Sequence, residues 1–190
     1  MLKLKYLHEN YGLAKFALEN WEYDAETLDG HLQRFRISSN AIYPFLWQGN
    51  MRFLRLSPAP EKMKNNLEGE LEFLRYLQSR GYPAVIPVAS NSGKFVVALD
   101  SVWGKYYASV FEGVDGKPVE DTGCDDHIVY AYGKALGQLH ILSAEYSPEI
   151  RKWTYCDALQ WIGKVLEEYH APNKMSIELE KVRRALNELP

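Results

Sequence analysis

The sequence predicts an α+β fold in which a β-rich half is followed by helices, and three observations carry that reading. Apolar and charged residues alternate through Gln33-Arg34-Phe35-Arg36-Ile37, the period of a half-buried strand, and two further strand-like runs follow around a Gln48-Gly49-Asn50 turn. Between residues 64 and 79 the period lengthens to three and four, placing Leu67, Leu71, Leu74 and Leu77 on one face of an inserted helix. Beyond Glu112-Gly113-Val114-Asp115-Gly116-Lys117-Pro118, the strongest break in the chain, the pattern is helical throughout.

Taken in order, the first thirty residues read as helical, with Leu13, Phe16, Ala17 and Trp21 at helical spacing and Asn10 placed to cap the start. Asp29-Gly30 ends that stretch. Strands at 33–37, 41–47 and 51–56 form a meander, and Pro44 confines the second to a sheet edge or a bulge because proline donates no ladder hydrogen bond. The helix at 64–79 stops at Arg80-Gly81-Tyr82-Pro83. Strands at 84–88, 94–99 and 105–111 follow, divided by Ser90-Asn91-Ser92-Gly93 and Trp103-Gly104. Helices are then expected at about 125–143, 155–169 and 176–189. This organisation predicts an N-terminal helical segment (1–29), a β-rich lobe (30–112), a hinge (113–124) and a helical portion (125–190), with no internal repeat.

The 190 residues carry 22 Lys and Arg against 25 Asp and Glu, a formal net charge of −3, which argues against a protein that binds nucleic acid by neutralising phosphates. A hydrophobic content of 46% with 25% charged residues is that of a globular chain able to bury its own core, which excludes wholesale disorder. Cys124 and Cys156 are too few and too far apart for a disulfide framework or a metal site, and read as reduced thiols. The first ten residues hold two lysines with no apolar run behind them, unlike a signal peptide, and no run approaches the ~18 apolar residues of a membrane helix. A soluble cytoplasmic protein without nucleic-acid or membrane partners is expected.

The residues that carry chemistry centre on Glu70 and Arg55. At ~100° per residue Glu70 falls between Leu74 and Leu77, on the apolar stripe, where a carboxylate is costly without a cation. Strand alternation puts Arg55 on the same face as Met51 and Phe53, just before that helix. One reading is a strand-to-helix ion pair. The other is a glutamate at the stripe's edge that reaches water, beside an arginine whose stem is buried and whose head is wet. Both stand at this point.

The meander, the basic residue in Phe53-Leu54-Arg55-Leu56, Glu70-x-x-x-Leu74-x-x-Leu77, the run 80–87, the hinge ending in Glu112-Gly113, and Tyr132-Gly133-Lys134-Ala135-Leu136-Gly137-Gln138-Leu139-His140 together resemble the aminoglycoside phosphotransferase and choline kinase family, whose fold is protein kinase-like. The resemblance runs from about residue 24 to 143, in order and with spacing kept. It implies an N-lobe with an antiparallel sheet of five to six strands and one inserted helix, followed by helices of an incomplete C-lobe. By resemblance Arg55 replaces the strand lysine that holds the ATP α/β-phosphates, and Glu70 is its helix partner. Ser38, Ser39 and Asn40 occupy the turn over the phosphates, without the glycines of a kinase loop; by themselves they read as a plain β-turn. The stretch of Ser109, Val110, Phe111 and Glu112 to Gly113 becomes the hinge whose backbone holds adenine. Arginine for lysine changes reach and angle, because a planar fork replaces a point charge. His140, at the border of the stripe formed by Ile128, Tyr132, Ala135, Leu139 and Leu142, is read as structural.

The family's His-x-Asp-x-x-x-x-Asn loop is not in the sequence. His8, His31, His127, His140 and His170 are followed two positions later by Asn, Gln, Val, Leu and Pro. No base and no magnesium ligands are therefore assigned, although a full-length relative uses magnesium. Three readings follow: the N-terminal part of a longer ATP-dependent kinase acting on a hydroxyl of an aminoglycoside, choline, homoserine or similar acceptor; a nucleotide- or protein-binding module without catalysis; and an α+β interaction domain with architectural likeness only. The first is preferred, because apolar stripes at Leu159, Ile162, Leu166 and Tyr169, and at Leu179, Val182, Leu186 and Leu189, would need covering and otherwise promote self-association.

Overall fold

A sheet one layer thick, covered on both faces, organises the chain. The computed structural model describes residues 10–59, 62–123, 125–168 and 176–188. Contacts divide the chain into two compact units, Met1–Ile150 and Arg151–Pro190. Tyr169 and Leu189, expected on the last apolar stripes, lie outside the described residues, as does Cys124.

In the first unit α1 (Tyr11–Leu18) begins where expected, with the Asn10 side chain accepting the Leu13 N–H at 2.9 Å. A short α2 (Leu28–Leu32) follows, and it shortens the expected first strand to β1 (Arg36–Ile37). β2 (Ala41–Trp47) and β3 (Asn50–Pro58) form the predicted hairpin, and α3 (Lys64–Ser79) matches its predicted bounds. β4 (Pro87–Val88) is shorter than the expected 84–88, β5 (Val97–Ser101) starts later than expected, and β6 (Gly104–Glu112) is long. α4 (Asp126–Glu145) is capped by Asp125, whose carboxylate accepts the Ile128 N–H at 2.9 Å.

The strands pair antiparallel in the order β1-β2-β3-β6-β4, with β5 also on β6. β4 and β5 share one edge of β6 end to end, while β3 takes the other. Pro44 faces Phe53 on β3, and β1 reaches β2 only at Ala41 and Ile42, so the proline sits on a free edge as its missing N–H requires.

Alternation then sorts side chains between faces. Tyr43, Phe45, Leu54, Leu56, Ala108 and Val110 are fully buried with Leu13, Ala17, Leu18 and Leu32 of α1 and α2. Burial of Tyr43 pushes its phenol up to about 12. The opposite face meets α3 through Leu67, Leu71, Phe95, Val96, Tyr107 and Phe111. α3 ends as predicted: Gly81 takes φ +75°, and Tyr82 N–H returns to the Leu77 carbonyl at 3.0 Å.

α4 is mostly solvent-facing. Of its expected stripe Leu142 is buried and Ile128, Ala135 and Leu139 are half-buried, but Tyr132 is 67% exposed. The stripe is fully buried only at its C-terminal end, where α3 supplies a partner. Among the described residues no helix is long and apolar enough to cross a membrane.

In the second unit, α5 (Tyr155–Glu168) and α6 (Ser176–Asn187) form the remaining helices. Thr154 and Asp157 cap α5 reciprocally: the carboxylate accepts the Thr154 N–H at 2.8 Å, and Thr154 Oγ1 accepts the Asp157 N–H at 3.4 Å. Hydrogen bonds from Thr154, and then Arg151, hold this carboxyl below its usual range. Leu159 and Ile162 are half-buried and Val182 is 43% exposed.

The β2–β3 hairpin depends on a residue from outside the sheet. Gln48 and Gly49 both take positive φ, 51° and 76°, the type I′ geometry. Their two N–H groups donate to Asp24 Oδ1 and Oδ2, each at 2.9 Å. Asp24→Ala is expected to cost about 1–3 kcal/mol, since both bonds go to an ionised acceptor. Asp29→Ala, which removes only the exposed pair with Lys15, should cost under ~1 kcal/mol. Urea denaturation of the two variants checks this; equal losses would refute the role given to Asp24.

Candidate functional site

β3 carries Phe53, Arg55 and Ser57 on the face that meets α3, and register places Arg55 opposite Ser109 of β6. Arg55 is 9% exposed, and its guanidinium is held from three sides. Nε donates to Ser109 Oγ at 3.1 Å. NH1 donates to both Glu70 carboxylate oxygens, at 2.7 and 2.9 Å. The guanidinium carbon lies 4.8 Å from the centre of the Phe111 ring. NH2 is buried and has no hydrogen-bond partner among the described residues.

The ion pair predicted from sequence is therefore present, but Glu70 does not lie on the buried stripe. Its side chain is 45% exposed against 11% for Arg55. Leu67 and Leu71 set the face that α3 turns to the sheet. Glu70 lies about 60° and 100° round the helix from them, on the flank. Leu77, which framed Glu70 on the helical wheel, is buried about two turns further on. Both sequence readings are thus partly met: the carboxylate reaches water and the cation at once.

Other candidate residues surround this point unequally. Ser38 and Ser39 are exposed in the β1–β2 turn, closed by Ser38 N–H to the Asn40 carbonyl at 2.9 Å. Asn40 Oδ1 accepts from Ser57 Oγ at 2.8 Å, which ties that turn to the Arg55 face. Val110 belongs to the opposite face and the other core. The Glu112 N–H donates to the Ile86 carbonyl at 2.9 Å and the Gly113 N–H to the Met51 carbonyl at 2.8 Å. Gly113 is needed for this approach, because a Cβ there would lie 2.8 Å from the Met51 oxygen.

The sequence reading missed how α3 is held from behind. Glu72 accepts the N–H groups of Glu149 and Ile150 at 2.8 and 3.0 Å. Tyr76 Oη donates to the Leu142 carbonyl at 3.1 Å, and Arg80 pairs with Glu145. The Phe73 and Tyr76 rings lie 4.9 and 5.0 Å from Tyr146, whose phenol is pushed up to about 12 by burial and then by Glu72. The recurrence of Phe73, Tyr76 and Arg80 at helical spacing was the available signal. A separate cleft of about 280 Å³ is lined by Leu71, Glu72, Arg75, Phe95 and Ile150 and includes neither Arg55 nor Glu70.

Chemically, the arrangement offers a buried cationic donor with one nitrogen uncommitted, suited to an anion such as phosphate. Among the described residues no group of three His, Cys, Asp or Glu side chains converges to hold a metal ion, so magnesium has no assigned ligand here.

Residues 32–190 match the family model described as Phosphotransferase enzyme family (APH). Amicoumacin kinase of Bacillus subtilis (strain 168) is 26% identical over 110 residues, which is 57% of this chain and 33% of that protein. An uncharacterized protein of Synechocystis sp. is 26% identical over 100 residues, 52% of this chain and 27% of its own length. The structure of amicoumacin kinase hAmiN in complex with AMP-PNP, Ca2+ and Ami superposes with a TM-score of 0.70 at 20% identity, covering 99% of this chain and 56% of that one. The fold is therefore protein kinase-like, and the chain spans a third or less of the length of these curated relatives.

Because Glu70 is half in water, its loss need not strand Arg55 fully. Glu70→Ala is expected to cost about 1–3 kcal/mol. Glu68→Ala, which breaks only the i,i+4 pair with Lys64, should cost under ~0.5 kcal/mol. Equal, small losses in thermal or denaturant unfolding would show that the Arg55 contact contributes nothing.

Proposed function

The chain belongs to the phosphotransferase enzyme family, and from that membership we propose that it is the nucleotide-binding part of an ATP-dependent small-molecule kinase. One observation carries the proposal: Arg55 is fixed at Nε and NH1 by Ser109 and Glu70 while buried NH2 keeps its donors uncommitted. Phosphoryl transfer depends on aiming a cation at the phosphates and holding it there, and a guanidinium clamped on two sides supplies that. In this reading NH2 meets the α/β-phosphates and Glu70 sets its angle. Ser38, Ser39 and Asn40 cover the phosphates. Adenine lies against the end of β6, where the Glu112 and Gly113 N–H groups are committed and other backbone groups must serve.

The transferred group goes to a hydroxyl of an aminoglycoside, choline, homoserine or similar acceptor. The base and the metal ligands are to be sought outside these 190 residues, since no His in the sequence opens a His-x-Asp-x-x-x-x-Asn loop. The exposed apolar residues of α4, Val129, Tyr130 and Leu136 among them, fit a helix that further chain covers in the whole enzyme and that self-associates without it. A cytoplasmic location accords with an ATP-dependent reaction.

Calorimetric titration tests the nucleotide reading. ATP should bind with Kd on the order of 0.1–1 mM, magnesium should barely change it, and Arg55→Ala should weaken ATP more than adenosine. No saturable binding of either ligand at millimolar concentration would favour a non-catalytic interaction module instead. The same chain should show no turnover with any of these acceptors. ADP formation after removal of contaminating kinases would mean that a base and metal ligands exist within it.

A further inference from the structure

The turn that this reading places over the phosphates has no glycine, and its flanking strand β1 is two residues long. A glycine-rich loop brings backbone N–H groups close to phosphate because nothing projects from it. Here Ser38 and Ser39 present hydroxyls instead, and both side chains are exposed. A short strand and a small turn give such hydroxyls little fixed position by themselves.

What fixes them comes from β3. Ser57 is 1% exposed, so its hydroxyl needs a partner inside the fold. That partner is Asn40, whose Oδ1 accepts from Ser57 Oγ at 2.8 Å. Asn40 Nδ2 in turn points toward Ser39 Oγ at 3.4 Å, a long contact. Ser57 is two residues from Arg55 on one strand face, about 7 Å along the strand.

We propose that Asn40 is a positioning residue for the nucleotide phosphates: its bond to Ser57 latches the Ser38–Asn40 turn to β3, holding the turn's hydroxyls at a set distance from Arg55. The latch rests on the nucleotide reading above and adds to it a reason why the turn works without glycine. Its contribution is indirect, through the place of the turn, so it acts on the phosphates and not on adenine.

Titration of ATP and of adenosine against wild type, Asn40→Ala, Ser57→Ala and the double variant tests it. Each single variant should raise the ATP Kd roughly 3- to 10-fold, the loss of one well-formed hydrogen bond, with adenosine changed by less than about 2-fold. The double variant should be no weaker than the weaker single variant, because both remove one bond. Amide hydrogen exchange at Ser38, whose N–H donates to the Asn40 carbonyl, should quicken in both single variants. Lower thermal stability with an unchanged ratio of ATP to adenosine affinity would overturn the proposal, since a merely structural bond does that. Asn40 lies in a half-exposed turn, so Asn40→Ala decides the matter even where Ser57→Ala does not fold. Wild-type chain that binds no ATP overturns the nucleotide reading and the latch together; wild-type binding that neither variant alters overturns the latch alone.

Discussion

The Arg55 guanidinium is where three separate pieces of chain are made to agree. β3 supplies it, β6 supplies Ser109 and the ring of Phe111, and α3 supplies Glu70. A cation buried on an apolar face is tolerated only when its charge is paired, and here Nε and NH1 are both met. Each neighbour therefore has little freedom: a shift of α3 along its axis unpairs NH1, and a slip of β3 against β6 by one residue moves Ser109 to the other face. The pairing of strand with helix thereby sets the depth at which α3 sits on the sheet.

That depth is enforced again from outside. α3 is a helix with two packed faces, one against Phe95, Val96 and Phe111 and the other against the end of α4. Glu72, one turn from Glu68 and next to Leu71, grips the backbone at Glu149 and Ile150, so the carboxylates of this helix are divided between tasks. Glu68 pairs with Lys64, Glu70 orients a cation, and Glu72 anchors a loop. Residue type is identical in all three; position on the helix alone separates them. Because Glu70 and Glu72 project from one rigid rod, the loop after α4 and the guanidinium are held by the same body.

The sheet is held with comparable economy. Its β2–β3 hairpin is closed by Asp24, which lies before β1 in sequence, and its last strand ends where Gly113 tucks under Met51. Both contacts come from coil rather than from strands. Both rely on backbone N–H groups meeting fixed acceptors.

Much of this was written in the sequence, and for a consistent reason. Hydrophobic period and turn chemistry are local, so the bounds of α3, the hairpin at Gln48-Gly49, the edge position of Pro44 and the cap at Asn10 follow from neighbouring residues alone. The pairing of Arg55 with Glu70 was also legible, because strand and helix periods aim both side chains at one interface. The short β4 and the delayed β5 were not, since pairing with β6 sets their ends and β6 is distant in sequence. Nor was the exposure of Glu70, which depends on how α3 rolls when Leu67 and Leu71 find Phe95 and Val96. The bonds of Glu72 to Glu149, of Asp24 to Gly49 and of Asn40 to Ser57 join residues 77, 25 and 17 apart. A polar side chain on a turn or a solvated face carries no periodic mark of the partner it will meet, and only the folded chain brings that partner within reach.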